Sequence, residues 1–344
     1  MEGMSDPNLL CSQPGLNREA LRRHLFRQMK QIPGIHHITA IAGDPRQNLD
    51  FYNGLLGLRL VKRTVNFDDP ATYHFYFGDR EANPGSLLTF FLWPGAQRGR
   101  HGAGQATAVS FSIPEDAMGY WRERLNAANV AIDGPQKRFG EETISFHDHD
   151  GLRLELVANP DARPGWLEGP VPGEHAIRGI HGVTLSVEAL GKTASVLAVA
   201  LGFRPTKEGG NRVRYEAGSG GAGTVVDVEW APGLTQGEVA VGTVHHVAWR
   251  TPNEAEQREW RRDIAARGLR VTPIIDRKYF RSIYFREPGG VLFEIATDGP
   301  GFAVDEPAEE LGTRLVLPPW LEPRRRDLET RLPPLDEPQF VRQA

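Results

Sequence analysis

The chain is expected to be α+β, built from four βαβββ modules that pair into two cup-like mixed-sheet barrels. Three observations predict this. GIHHITAIAGD, from Gly34, returns without a gap as GIHGVTLSVEA, from Gly179. TAVSFSIPEDA, from Thr107, returns as HHVAWRTPNEA, from His245. The segments that follow these last two also end alike, as SFHDHDGLRLELVAN from Ser145 and YFREPGGVLFEIATD from Tyr284. Such self-similarity marks a repeat architecture, here ordered odd, even, odd, even. A βαβββ unit exposes one sheet face, and two units can cover it by closing into a cup.

The elements follow in order. Residues 1–33 form a leader, in which Asn17–Gln31 reads as a short helix capped by Asn17. Residues 34–157 hold modules one and two. In the odd modules a helical stretch follows the opening strand, and FYNGLLGLRLV from Phe51 or SVLAVALGFRP from Ser195 then opens the next strand. Residues 158–178, with Pro and Gly throughout, read as a linker, and residues 179–312 hold modules three and four. In module four the opening strand is TVHHVAWRT and the helix is Asn253–Arg267. Its closing strands include Ser282–Arg286 and Val291–Thr297, with EPGG as the turn between them. Residues 313–344 form a tail, and Pro318–Ala344, rich in Pro, Arg, Asp and Glu, reads as surface.

Bulk composition narrows the function. A chain of 344 residues with 40% hydrophobic and 24% charged residues can bury two domain cores. A net charge of -4 gives no basic footprint for nucleic acid. Cys11 stands alone, which excludes an internal disulfide framework and fits a reducing, cytoplasmic compartment. The N-terminus lacks the order of a secretory signal, and no apolar run of membrane-spanning length is present.

The strand runs LRLEL and VLFEI each carry one acid among apolar neighbours, Glu155 and Glu294. Burying a lone carboxylate is costly unless it is paired or metal-bound. Two His and one Asp/Glu on one face make the open facial triad suited to non-haem Fe(II). Matching the modules aligns His36 with His181, His37 with Gly182, Ala108 with His246, and Glu155 with Glu294. Neighbours on a strand face opposite ways, so one histidine of each His-His pair can be a ligand. His37 and His246 are the favoured choice, with Glu294 as the acid. This set is complete only if modules one and four share a cup, leaving modules two and three to share the other. Glu155 and His181 are then structural. His147 and His149 sit at a turn, whereas His74 alternates with aromatics and is a candidate to line the cup. Phe75, Phe90 and Trp249 are candidates to flank a flat ring.

These residues resemble the vicinal oxygen chelate superfamily, which includes glyoxalase I, bleomycin-resistance proteins and extradiol dioxygenases. The match is closest to the hydroquinone ring-cleaving dioxygenases, over about Gly34 to Gly312. It is carried by GIHHIT, VKRT with TYHFYFGD, PGSLLTFF, GTVHHVAW, DRKYFRSIYFREPGGVLFEIATD and GFAVDE. The resemblance implies paired βαβββ modules and Fe(II), or Mn(II), held by His37, His246 and Glu294. It also implies roles around the metal for His36, His245, Arg277 and Tyr284, with Arg281 as the alternative to Arg277. The implied partners are a small aromatic substrate and O2, in a chain that can form a homodimer. The implied reaction inserts O2 beside a metal-bound ring oxygen and opens the ring to a semialdehyde-type acid or, for a halogenated ring, an acyl halide. Tyr284 would donate a hydrogen bond, and His245 or His36 would shuttle a proton. The rivals are a catechol-type extradiol dioxygenase, a glyoxalase-type lyase or isomerase, and a metal-free binding or resistance protein. A lyase would need a second acid in module one, where Thr89 or Phe90 stands.

Overall fold

The computed structural model describes residues 30–335. Module one runs β1 (Ile35–Ala42), α1 (Pro45–Leu49), β2 (Arg59–Val65), β3 (Tyr73–Gly78) and β4 (Leu87–Leu92). Module two runs β5 (Gln105–Ile113), α2 (Met118–Ala127), β6 (Ile132–Arg138), β7 (Glu141–His147) and β8 (Arg153–Ala158). Module three runs β9 (Gly179–Val187), α3 (Leu190–Ser195), β10 (Arg204–Gly209), β11 (Arg212–Glu216) and β12 (Val225–Trp230). Module four runs β13 (Thr243–Thr251), α4 (Glu254–Ala266), β14 (Ile275–Asp276), β15 (Phe280–Arg286) and β16 (Leu292–Pro300). The helices of the odd modules widen into a π turn, over Asp50–Leu55 and Val196–Ala200. These turns close on Leu56 N–H to Phe51 O and Leu201 N–H to Val196 O.

The strands form two eight-stranded sheets. One has the order β14-β15-β16-β13-β1-β4-β3-β2 and joins module four to module one. The other, β10-β11-β12-β9-β5-β8-β7-β6, joins module three to module two. The expected pairing is therefore present. The seams are antiparallel, β1 on β13 and β5 on β9. Opening and closing strands within each module run parallel.

Alternation divides each strand between two faces. On β1, Ile38, Ala40 and Ala42 join the main apolar core, while His37 and Thr39 face the cup. Phe75, Phe90 and Trp249 lie on the core face of their strands and do not flank the cavity. This corrects the sequence expectation, and the error is one residue of strand phase: the cup faces of β3 and β4 carry His74, Tyr76 and Phe91 instead.

Helix α4 begins one residue after its expected start, Asn253, which is instead the cap: its side chain accepts from Glu256 N–H at 3.0 Å. Buried Gln257 on this helix donates to the carbonyls of Arg281 and Ile295, which fixes the helix against β15 and β16. The closing strands of module four extend beyond their expected ends, to Phe280 and to Pro300.

The tail differs from its reading as surface. Leu321, Leu328 and Leu332 are buried, the last two on or beside α5 (Arg325–Arg331). Leu328 on the helix and Leu321 and Leu332 flanking it join the main apolar core, a signal that composition alone hides. Upstream, the segment from Asp305 to Val316 is fastened to β2. Buried Lys62 pairs with Asp305 at 2.7 Å and with Glu306, and Arg59 donates to the carbonyls of Ala308 and Glu309. The helix expected over Asn17–Gln31 lies, apart from its last two residues, outside the described residues. No helix among the described residues is long and apolar enough to cross a membrane.

Candidate metal centre

His37, His246 and Glu294 meet inside the first cup, all buried, with one donor atom from each within 4.8 Å of the others. They arrive on three adjacent strands, β1, β13 and β16. His246 is directly across the antiparallel seam from Thr39, two residues beyond His37, so both imidazoles enter from the same face. Glu294 Oε2 lies 2.9 Å from His246 Nε2 and 3.5 Å from His37 Nε2, and the two Nε2 atoms are 3.3 Å apart. Ligands at about 2.1 Å from one ion stand about 3.0–3.4 Å apart, so the set fits a shared cation.

Hydrogen bonding sets the tautomer that a ligand needs. His36 Nε2 lies 3.2 Å from the carbonyl of Thr297, which can only accept. Burial and the neighbouring His37 hold His36 well below the ordinary histidine range, hence neutral. A neutral ring protonated on Nε2 must accept at Nδ1. His37 Nδ1, 2.9 Å away, is therefore the donor, and His37 Nε2 is left as a bare lone pair. His245 and His246 repeat the contact, Nδ1 to Nδ1 at 2.7 Å. Burial and His246 push His245 down to about 3. Outer partners of this kind fix the tautomer and orientation of metal-binding imidazoles.

The acid is equally poised. Glu294 Oε1 accepts from Ser282, while buried Oε2 accepts no directed hydrogen bond. Burial pushes the Glu294 carboxyl up, but the imidazoles of His37 and His246 overcome this and hold it well below the usual range. A proton on either Nε2, facing Oε2, acts in this way, and a divalent ion in its place would have an ionised oxygen and two nitrogen lone pairs as its donor set.

The triad opens on a cavity of about 230 Å³. A 150 Å³ apolar cavity can hold a benzene ring, so one substituted ring is the scale of this space. Arg277 and Tyr284 both line it, and Arg277 Nε donates to the Tyr284 hydroxyl at 3.2 Å. Burial raises Tyr284 and keeps its proton on. Arg277 also pairs with Asp68 at 2.9 Å, on the loop between β2 and β3. Arg281, the alternative, points outward to Glu254. His245 lines the cavity, as does His74. His36 lies behind His37 and lines nothing. His147 is exposed and His149 pairs with Asp150, both away from the triad.

Register settles which residue of module one matches Glu294. Ala248 pairs with Glu294 on the parallel strand, and Thr39 pairs with Thr89 in the same way. Thr89, not Phe90, is therefore the counterpart, and no second acid stands there. Sequence reasoning missed Thr39, Tyr76, Phe91 and Phe280. Counting in twos from His37, His74 and Thr89 reaches the first three.

A family model for the Glyoxalase/Bleomycin resistance protein/Dioxygenase superfamily matches residues 34–156 and 179–295. The chain is 47% identical over 308 residues to “Putative ring-cleaving dioxygenase MhqO” of Bacillus subtilis, covering 89% of this chain and 98% of that protein. It is 36% identical to chlorohydroquinone/hydroquinone 1,2-dioxygenase of Sphingobium indicum, covering 85% and 94%. A crystal structure from Bacillus subtilis superposes with a TM-score of 0.86 at 47% identity, over 90% of this chain and 99% of that one. Glyoxalase I from Zea mays, at 16% identity and a TM-score of 0.60 over 77% and 92%, shares the fold alone. With two matched repeats and full-length relatives at this identity, the chain belongs to the glyoxalase/bleomycin resistance protein/dioxygenase superfamily.

Proposed function

We propose that the chain is a metal-dependent ring-cleaving dioxygenase that inserts O2 into a hydroquinone-type, para-diol ring. One observation carries this reading. Two imidazole nitrogens and an undirected carboxylate oxygen converge on a ring-sized cavity, with Thr89 in place of a further acid. Three protein ligands leave positions open for a substrate oxygen and for O2. A four-ligand lyase site would use an acid where Thr89 stands. The named activity of the Sphingobium relative supports the para-diol over a catechol. Fe(II) is the proposed metal, and Mn(II) suits the same donors.

Bound to His37, His246 and Glu294, the ion would act as a Lewis acid toward a ring hydroxyl and exchange electrons with O2. The other roles belong to the side chains. Tyr284, protonated and steadied by Arg277, would donate to an oxygen of the ring. Arg277 supplies positive charge to the same wall. His36 would act only through His37, by accepting its Nδ1 proton. His245 is neutral, and accepting at Nδ1 from His246 leaves it an Nε2–H. It would serve as a donor to a cavity oxygen, which its low pKa favours over uptake of a proton at neutral pH. A cytoplasmic setting accords with the single cysteine. Residues 158–178 are the proposed junction between the two sequence halves.

The test is oxygen uptake by Fe(II)-reconstituted protein given methylhydroquinone, with catechol as control. Uptake with methylhydroquinone is expected, and His246→Ala should lower it at least about a hundredfold, since even an outer partner of a metal ligand contributes 10–100-fold. Uptake with catechol alone would change the substrate class, and none with either, on iron-loaded protein, would remove the oxygenase reading.

A further inference from the structure

A line of hydrogen bonds in the first cup takes no part in holding the triad. The Tyr76 hydroxyl lies 3.0 Å from His74 Nδ1. His74 Nε2 lies 3.0 Å from Thr89 Oγ1, and Thr89 Oγ1 lies 2.9 Å from Thr39 Oγ1. Tyr76 is 3% exposed, and Thr89 and Thr39 are fully buried against the protein. Thr39, His74 and Tyr76 line the cavity, together with Arg277 and Tyr284.

The chemistry of its two ends gives the line a direction. Among the described residues the Tyr76 hydroxyl has one hydrogen-bond partner, His74. Tyr76 and Thr39 both line the cavity, and of the two the phenol is the stronger acid and the weaker acceptor, so Tyr76 donates to the basic Nδ1. A neutral imidazole that accepts at Nδ1 carries its proton on Nε2. His74 therefore donates to Thr89, and Thr89 donates to Thr39. The Thr39 proton then has no acceptor among the described residues and is left for the cavity. The opposite direction would make the phenol oxygen, the poorest acceptor of the line, accept from His74. Both nitrogens of His74 are engaged, so it is not a fourth ligand.

We propose that Tyr76, His74 and Thr89 form a one-way hydrogen-bond relay that presents the Thr39 hydroxyl to the cavity as a donor, for an oxygen of a hydroxylated aromatic ring seated at the triad. The three relay members are positioning residues, and Thr39 is the group that meets the ring. This inference rests on the proposed function for the identity of the ligand, but not for the direction of the relay.

Two measurements test it. The first is the imidazole 15N–1H correlation spectrum of the metal-free protein, with the His74 signal identified by its loss in His74→Gln. A single Nε2–H tautomer is expected, and Tyr76→Phe should admit the Nδ1–H form. An Nδ1–H tautomer in the unaltered protein, or no response to Tyr76→Phe, overturns the relay. The second is anaerobic calorimetry of methylhydroquinone binding to Zn(II)-loaded protein. Thr39→Val should weaken binding about three- to tenfold, the range for one neutral hydrogen bond. Thr39→Ser, which keeps the hydroxyl, should restore it. Thr39→Val binding as tightly as the unaltered protein overturns the donor role. If methylhydroquinone fails to bind the unaltered protein, the proposed function fails, and the tautomer still decides the relay.

Discussion

In the first cup Glu294 lies between two imidazoles. At the matched position of the second cup Glu155 lies against Arg138, bidentate at 2.7 and 2.9 Å, with Ser110 as a third donor. The strand registers extend the match. Where the first cup has His37, His246 and Thr89, the second has Gly182, Ala108 and Asp227. Tyr76 is matched by Arg214, and His74 by Arg212. Arg214 binds Asp227 and Glu141, and Arg212 binds Asp227 and Glu229. The two cups thus satisfy one buried carboxylate in two ways. In the second, arginines pair with it and with its acidic neighbours. In the first, the imidazoles leave both a cavity and an oxygen without a directed partner. Backbone packing holds the distinction in place: a Cβ on Gly182 would sit 2.6 Å from the carbonyl of Val225, so a histidine does not fit there without a shift.

This comparison is broken most severely by removing Arg138. Arg138→Ala leaves buried Glu155 with only Ser110 and the longer contact to Arg153 at 3.4 Å, and should cost about 3 kcal/mol by denaturant unfolding, the low end of the range for a broken buried pair. Replacing both Arg138 and Glu155 with Leu should recover most of that loss, because a buried pair is exchangeable for apolar packing. No recovery would mean that the second cup needs its charges for more than pairing.

Thr89→Glu probes the first cup from the other side. It restores the acid that a lyase-type site would use. Oxygen uptake should fall about tenfold or more as an open position is filled, and Zn(II) affinity should rise. Unchanged uptake would show that Thr89 does not face the ion.

The smallest effect is one of pH. Burial pushes Glu141 up, but His181 and Arg214 hold it to about 2, below its unfolded value. Its stabilisation is then present above pH 4.5 and lost as pH falls toward 2, since the unfolded chain takes up the proton first. Glu141→Gln should flatten the acid limb of a stability–pH profile over that window. The side chain is 23% exposed, so solvent reduces the effect. An identical limb in the variant would mean that Glu141 keeps an ordinary affinity for its proton.

Much of this was legible in the sequence. The repeats carried the four modules, and the incomplete second and third copies of the triad carried the pairing of one with four. Strand phase was legible for His37 and His246 because both stood at matched repeat positions. It was misread for Phe75 and Phe90, which lie outside the quoted repeats, and for Trp249, although counting three residues from His246 puts it on the opposite face. The arginine lattice of the second cup was not legible, because Arg138, Arg212 and Arg214 look like ordinary surface charge until the sheet turns them inward. The tail was hidden by its own composition, since its leucines are sparse in sequence and contiguous only once α5 forms.

The most direct measurement is metal stoichiometry by elemental analysis, after Fe(II) loading and desalting, for the unaltered protein, His246→Ala and Glu155→Gln. One ion per chain, lost in His246→Ala and kept in Glu155→Gln, is the predicted result. Two ions per chain, or retention in His246→Ala, would contradict the assignment of the metal to the first cup alone.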